Sequence, residues 1–107
     1  MELKKVRFPL PSVKKLITEK RQNCRLTTKA EQTAHSIGYS KTQVLEAILQ
    51  LEAKDFFKSM NEYRNHRAWQ DVYKKRFGNI NIYIKLKIIQ LNGEELLVLS
   101  FKRDEQK

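Results

Sequence analysis

The sequence predicts an α+β fold in which N-terminal helices pack on a twisted, mainly antiparallel β-sheet. Apolar residues recur at helical spacing in the first half of the chain and at every second position in much of the second half. Two turn signals, Gly78-Asn79 and Asn92-Gly93, divide the second half into consecutive strands. Short turns of this kind join antiparallel neighbours, so the sheet is expected to be largely antiparallel.

Length and composition predict one small domain. The 107 residues, 40% of them hydrophobic, are enough for a single modest core, so residues 1–107 are expected to form one domain. No apolar run approaches a membrane span, and no apolar segment follows the basic N-terminus as in a secretory signal. The lone Cys24 excludes an internal disulfide and a Cys-rich zinc site. The resulting interpretation is a cytoplasmic protein without membrane association, structural metal or cofactor.

Charge is the strongest global indication of a partner. Lysine and arginine number 22 against 12 acidic residues, a net charge of +10. Such an excess attracts polyanions with a strength that depends on salt. Nucleic acid is favoured over a merely solvated surface, because a chain this small has little other reason for the excess. Charge alone does not distinguish DNA from RNA, or binding from cleavage.

Three helices are predicted in the first half, each from a start signal. These signals are an N-cap at Ser12 and capping boxes formed by Thr28 with Glu31 and by Ser40 with Gln43. The second helix is expected to end near Ile37, because Gly38 suits a helix C-terminus. Helices that cover a sheet are the preferred interpretation.

The two helices joined at Gly38 also fit a helix-turn-helix over residues 28–52. A recognition helix would then begin with Lys41, Thr42 and Gln43. A DNA-binding regulator built on this motif is the main alternative to an RNA-directed function, and it needs residues 41–46 to be exposed.

The last two strands form a hairpin whose register follows from its turn. Asn92-Gly93 is the strongest two-residue signal for a type I′ turn. A two-residue loop predicts four oppositions: Leu86 with Leu99, Ile84 with Phe101, Lys85 with Ser100, and Tyr83 with Lys102. The first two give an apolar face and the last two a basic one. A slip by one residue would carry lysines into the core.

The Gly78-Asn79 turn predicts a second register. It sets Lys74 opposite Tyr83 and Gln70 opposite Lys87, but it also sets Asp71 against Leu86 on the apolar face. The face away from the core is therefore basic and aromatic, which suits RNA. The residues expected to steer the RNA backbone are Lys74, Lys85, Lys87 and Arg76. Each of them alone could equally be a solvated surface charge.

Several segments resemble one known family. DFFKSM, HRAWQDVYKKRF, IYIKLKI and the terminal LSFK, with PSVKKLI and TTKAE before them, are similar to the MqsR family of bacterial mRNA interferase toxins. The chain departs from the family pattern at Phe57, where a tyrosine is expected, and in a longer Asn92-Gly93 hairpin. The resemblance implies a RelE-like fold and ribosome-independent cleavage of single-stranded mRNA at GC-containing triplets such as GCU.

The resemblance also implies site residues and partners. The cleft residues of the family correspond to Lys58, Gln70, Tyr83 and Lys102. The chain would be the toxin of a type II toxin-antitoxin system, with an MqsA-type antitoxin that binds it and represses their operon. DNA would then be contacted only indirectly, through the antitoxin complex.

Metal-free RNA cleavage defines what these residues must do. The 2′-OH attacks the adjacent phosphorus, which requires a base, an acid and cations for the developing charge. Lys58 is the candidate base or phosphate clamp, and Tyr83 the acid, the base or the group that orients the 2′-OH. Lys102 would stabilise the transition state and Gln70 would position a phosphate or a base edge.

Other candidates for the chemistry are weaker. His66 could act as an acid, but packing beside Trp69 is at least as good an interpretation, so it is kept outside the set. Asp55 and Asp71 are isolated among basic residues, and no HExxH or paired-carboxylate motif occurs. The expected mechanism therefore uses no metal.

Overall fold

Three α-helices and six strands make up the described part of the chain. The computed structural model describes residues 2–62 and 64–105, without the side chain of residue 66. In chain order the elements are β1 (Glu2–Leu3), α1 (Leu10–Glu19), β2 (Cys24–Leu26), α2 (Thr28–Ser36), α3 (Lys41–Leu49), β3 (Phe56–Glu62), β4 (Asn65–Phe77), β5 (Ile80–Leu91) and β6 (Gly93–Arg103). Short 3₁₀ turns at Arg21–Asn23 and Ala53–Asp55 precede β2 and β3.

The strands form one open sheet in the order β1-β3-β4-β5-β6-β2. All neighbours are antiparallel except β2, which pairs parallel with β6. The predicted α+β class and mainly antiparallel sheet are therefore confirmed. The consecutive strands β3, β4, β5 and β6 are antiparallel neighbours, and Gly78-Asn79 is the short turn that joins β4 to β5.

The helices pack against one face of this sheet. They bury the apolar residues that recur at helical spacing, among them Val13 and Ile17 of α1 and Val44 and Ile48 of α3. The sheet contributes Tyr73, Ile82, Ile84, Leu86, Leu96, Val98 and Phe101 to the same core. No described helix combines the length and the apolar character that crossing a membrane requires.

Two of the predicted helix starts are wrong by one or more residues. Helix α1 begins after Pro9, not at Ser12, and Ser12 already donates its backbone N–H to the Pro9 carbonyl at 3.0 Å. Helix α2 is capped by Thr27, whose hydroxyl accepts from the N–H of Ala30 at 3.1 Å, so Thr28 is the first helical residue and not the cap. The observed caps thus lie three residues before Ser12 and one residue before Thr28.

The other helix signals are confirmed. The capping box of Ser40 and Gln43 forms in both directions, with distances of 3.2 and 2.8 Å. Gly38 follows the end of α2 with a φ of +87°, a left-handed conformation that only glycine adopts without strain.

The register of the β5–β6 hairpin differs from the prediction near the turn and agrees with it at the far end. Leu91 pairs with Gly93, and Asn92 has no positive φ, so the turn is not a two-residue type I′ turn. Leu99 is the extra residue of a register shift after Lys85, so Leu86 lies opposite Val98 instead. This bulge compensates for the tighter turn. The oppositions predicted beyond it are confirmed: Ile84 with Phe101, Lys85 with Ser100, and Tyr83 with Lys102.

Asp71 occupies the apolar face opposite Leu86, as the second register predicts, and it is fully buried. Its carboxylate accepts backbone N–H groups from Arg7 at 3.0 Å and Phe8 at 2.8 Å. The carboxylate thus anchors the segment that leads into α1, which is why the sheet tolerates an acid there. The register continues from Asp71 to Phe77 with Lys74 opposite Tyr83.

Stability should depend on pH through Asp71. Burial raises the pKa of this carboxyl above its ordinary value of 3.8. The folded state therefore holds the proton more tightly than the unfolded state, and stability is lost as pH rises through the raised pKa. We expect wild type to lose free energy of unfolding relative to Asp71→Asn as pH rises from about 4 to about 7. Urea unfolding of both proteins measures it; a difference that is independent of pH would contradict the assignment.

Helix α2 and its N-cap cover the part of the β6 edge that β2 does not pair with. Strand β2 pairs with only Leu96–Val98, and beyond it Thr27 donates its N–H to the Val98 carbonyl at 3.0 Å. Further along, the hydroxyl of Thr33 donates to the Phe101 carbonyl at 2.9 Å. These contacts bring the C-terminal end of α2 beside the last residues of β6, where it walls one side of the site described next.

Candidate functional site

A cavity of about 840 Å³ opens where the end of α2 meets the uncovered face of the sheet. We refer to it as the cleft. Its lining residues are Thr33, Ser36, Ile37, Phe57, Lys58, Lys74, Tyr83, Lys102, Arg103, Asp104 and Glu105. Five of these side chains are a tyrosine or a cation that an RNA backbone could approach. The cleft is thus both basic and aromatic, as the sequence pattern of this face indicates.

Three of the four predicted cleft residues meet here. Lys58 of β3, Tyr83 of β5 and Lys102 of β6 all line the cleft. The sheet register brings Tyr83 between Lys74 on one side and Lys102 on the other. The Lys102 ammonium lies 5.2 Å from the centroid of the Tyr83 ring, a cation–π distance.

Gln70, the fourth predicted residue, does not line the cleft. It lies on β4 four residues before Lys74, and it pairs with Met60 of β3. The regular pairing of β4 and β5 starts at Asp71, so the expected opposition of Gln70 and Lys87 is not part of it. Both side chains instead hydrogen bond to Glu62, with Lys87 Nζ 2.6 Å from Oε2. The structure thus separates Gln70 from the other three.

A bulge in β3 controls which side chains reach the cleft. Phe56 pairs with Tyr73 and Lys58 pairs with Val72, so Phe57 is an extra residue between them. Phe56 packs its ring 5.6 Å from that of Tyr73 in the core, whereas Phe57 and Lys58 line the cleft. In a regular strand, Phe56 and Lys58 would share one face. The bulge therefore separates a core residue from a site residue.

Carboxylates from both ends of the chain pair with cleft lysines. Lys58 Nζ donates to Glu2 Oε2 at 2.6 Å, and Lys74 Nζ lies 3.6 Å from Asp104 Oδ2. The hydrogen bond from Lys58 is the main reason that the pKa of Glu2 lies below its ordinary value. The Lys58 side chain is only 18% exposed, while Glu2 is 60% exposed. The two carboxylates thus bind the same ammoniums that RNA phosphates would contact, and they would compete with the phosphates.

Removing the Glu2 carboxylate should strengthen RNA binding. In Glu2→Gln the Lys58 ammonium no longer has a competing anion, and we expect the dissociation constant for RNA to fall roughly twofold to fivefold at low salt. Glu46→Gln removes the same charge from the Arg21 pair on the helical layer and is the control. Filter binding to a 2′-deoxy RNA analogue measures both. Equal affinity for Glu2→Gln and wild type would show that the pair does not compete.

Burial changes the proton affinity of two groups on this face. It raises the pKa of Tyr83, and the nearby Lys58 only partly offsets this, so the phenol is protonated at neutral pH. It lowers the pKa of Lys85, and the positive charges of Lys102 and Lys58 lower it further. Tyr83 is therefore a proton donor in this environment. Lys85 gives up its proton more readily than an exposed lysine.

The predicted RNA-steering residues are distributed around the cleft. Lys74 lines it, and Lys85 lies opposite Ser100 in the half-buried part of the same face. Lys87 is tied to Glu62, and Arg76 is exposed with its Nε donating to the Gly78 carbonyl at 3.0 Å. The cationic face thus extends along β4 and β5 beyond the cleft itself.

Sequence reasoning missed several lining residues. Thr33 and Ser36 come from the end of α2, and Arg103 follows Lys102 at the end of β6. The Lys102-Arg103 pair of basic residues is the one signal that could have indicated Arg103. Glu2 and Asp104 carried no signal, because their contacts depend on how the chain ends return to the sheet.

The remaining candidates are placed as follows. His66, which the sequence interpretation keeps outside the catalytic set, has a side chain that lies outside the described residues. Trp69 is half-buried, with the Arg7 guanidinium 4.6 Å from its ring centroid. Among the described residues, no three His, Cys, Asp or Glu side chains come together as a metal site would need.

The fold and the cleft define a small basic α+β protein in which ammonium and phenol groups line one cleft. The family described as "Motility quorum-sensing regulator, toxin of MqsA" matches residues 5–103, and the chain belongs to this MqsR toxin family. It is 33% identical over 102 residues to the mRNA interferase toxin MqsR of Escherichia coli (strain K12). That alignment covers 95% of this chain and 98% of the relative. The resemblance seen in the sequence is confirmed.

Proposed function

We propose that this chain is the toxin of a type II toxin-antitoxin system and acts by cleaving mRNA. Its family membership and the name of its relative, an mRNA interferase toxin, support an endoribonuclease. The observation that carries the proposal to specific residues is the convergence of Lys58, Tyr83 and Lys102 in one cleft. Residues 1–107 act as a single toxin domain of RelE-like fold, located in the cytoplasm, where mRNA is available.

The proposed reaction is attack of a ribose 2′-OH on the adjacent phosphorus. The products are a 2′,3′-cyclic phosphate and a 5′-OH, without a covalent enzyme intermediate. Tyr83 donates a proton towards the leaving 5′ oxygen, because its raised pKa keeps the phenol protonated. Lys58 contacts the scissile phosphate as a clamp or accepts the 2′-OH proton, and Lys102 stabilises the charge on the phosphorane.

Lys85 and Gln70 have supporting roles in this proposal. The lowered pKa of Lys85 makes it a second candidate to accept the 2′-OH proton in this part of the face. Gln70 lies outside the cleft, so it is better suited to a flanking nucleotide than to the scissile phosphate. Lys74, Lys87 and Arg76 supply the cationic track for the RNA backbone.

The finer substrate properties belong to the same proposal. The enzyme cleaves single-stranded mRNA at GC-containing triplets such as GCU, without ribosomes and without a metal ion. An MqsA-type antitoxin binds it, and DNA is reached only through that complex. Support for metal-independent cleavage comes from the ammonium groups, which are placed where they can neutralise phosphate charge directly.

The direct test uses purified protein and a defined RNA that contains one GCU triplet, with EDTA and without ribosomes. Cleavage at that triplet, with 2′,3′-cyclic phosphate and 5′-OH ends, is the expected result. An RNA with the triplet changed to AAU is the control for sequence preference. Complete loss of cleavage in EDTA, or new ends with a 5′ phosphate, would overturn the mechanism.

The DNA-binding alternative rests on α2 and α3. Lys41, Thr42 and Gln43 are exposed, but Val44 and Leu45 are buried against the core. Only part of the segment that a recognition helix requires is therefore accessible. Specific binding to operator DNA by the toxin alone, together with no RNA cleavage, would favour this alternative.

A further inference from the structure

One aromatic ring in the cleft is surrounded by three ammonium groups. The Nζ atoms of Lys74, Lys4 and Lys58 lie 4.0, 4.7 and 5.4 Å from the centroid of the Phe57 ring. Like charges repel one another, so a group with negative potential between the ammoniums favours their convergence. The face of a phenyl ring supplies it through its quadrupole.

A strand bulge and a hydrogen bond position the backbone that carries this ring. Phe57 is the extra residue of the β3 bulge, and bulges near functional sites redirect a side chain. Lys4 donates from Nζ to the Phe57 carbonyl at 2.9 Å, which ties the bulge to the segment after β1. The backbone that carries the ring therefore has a defined position before any substrate arrives.

The carboxylate contacts of the same lysines differ in kind. The carboxylate oxygens of Glu2 and Asp104 contact the ammoniums of Lys58 and Lys74, and RNA phosphates would have to displace them. The ring does not compete in this way, because a cation–π contact leaves the other N–H donors of the ammonium available. The ring contact is thus compatible with a bound phosphate.

We propose that Phe57 is a positioning residue of the cleft, whose ring holds the Lys58 and Lys74 ammoniums where they contact successive phosphates of the RNA. This inference rests on the proposed ribonuclease function. Without the ring, both flexible side chains are free to separate, and the substrate has to order them on binding. Phe57 acts through the two lysines and does not take part in proton transfer.

The first test compares three variants in RNA cleavage. Phe57→Leu removes the quadrupole and should lower kcat/KM about tenfold. Phe57→Tyr keeps an aromatic ring and should remain within about twofold of wild type. Phe77→Leu, a half-buried ring on the other side of β4, is the control and should leave cleavage unchanged. Phe57→Met replaces the leucine variant if that protein does not fold, as judged by circular dichroism.

A double-mutant cycle shows whether the ring acts through Lys74. In a Lys74→Gln background the Phe57→Leu change should cost only about twofold to threefold in kcat/KM, because the closest ammonium is already absent. Fully additive losses in kcat/KM would overturn the inference, and so would a Phe57→Tyr variant as inactive as Phe57→Leu. A merely structural role would give the same loss in both backgrounds.

Binding of a 2′-deoxy RNA analogue separates this inference from the proposed function. If wild type cleaves no RNA, the proposed function fails, while weaker binding of the analogue by Phe57→Leu than by wild type still supports the ring's role. If wild type cleaves and the leucine variant matches it in both cleavage and binding, the positioning role alone is wrong.

Discussion

Lys58→Ala should lower the rate of RNA cleavage by about 10²–10⁴-fold, the usual contribution of a positioned acid or base. The side chain of Lys58 lies in the cleft with Tyr83 and Lys102, and alanine leaves neither an ammonium to clamp the phosphate nor an amine to accept a proton. Single-turnover cleavage of a GCU-containing RNA measures the effect, since it excludes product release.

The fold should survive this change. Lys58 is paired with Glu2 at the edge of the sheet and is not part of the apolar core. Lys54→Ala is the matched control, because Lys54 lies four residues earlier and its side chain is 74% exposed. Wild-type cleavage rates for Lys58→Ala would remove Lys58 from the mechanism, whereas a loss shared with Lys54→Ala would point to a general effect of charge.

Tyr83→Phe should produce the second large loss, again about 10²–10⁴-fold in the cleavage step. The change removes one hydroxyl and keeps the ring on which Lys102 rests at 5.2 Å. The loss therefore reports on the proton of the phenol and not on packing. RNA binding, measured with the 2′-deoxy analogue, should change by less than about threefold.

A substrate with a better leaving group tests the acid role directly. When the 5′ oxygen is replaced by sulfur, departure no longer needs a proton donor, and Tyr83→Phe should recover much of its activity. Tyr39→Phe removes the same atom from a ring that packs on Phe101 and is the control. An equal defect with both substrates would exclude Tyr83 as the acid.

Local signals predicted much of the fold. The Ser40 capping box and Gly38 depend on a few neighbouring residues, and both form as predicted. The starts of α1 and α2 were misplaced because several residues compete for one cap, and the structure selects Pro9 and Thr27. Local chemistry thus identified each helix better than its first residue.

The register of β5 and β6 depends on more than the turn that joins them. Tyr83 lies opposite Lys102 as predicted, although the turn between β5 and β6 is not the two-residue type I′ turn on which the prediction rests. The tighter turn and the bulge after Lys85 shift the register in opposite directions. Side-chain burial explains the compensation, because a net slip of one residue would have turned Lys85 and Lys102 towards the core.

By itself, the sequence determined the class of this protein, its basic face and the pairing of Tyr83 with Lys102, because these follow from periodicity, charge and the burial of one apolar face. The family resemblance added Lys58, which the structure brings into the same cleft. Only the tertiary structure decided that Gln70 stands apart, that Glu2 and Asp104 pair with cleft lysines, and that Phe57 gathers three ammoniums. These features depend on bulges and on contacts between distant segments, and no local pattern specifies them.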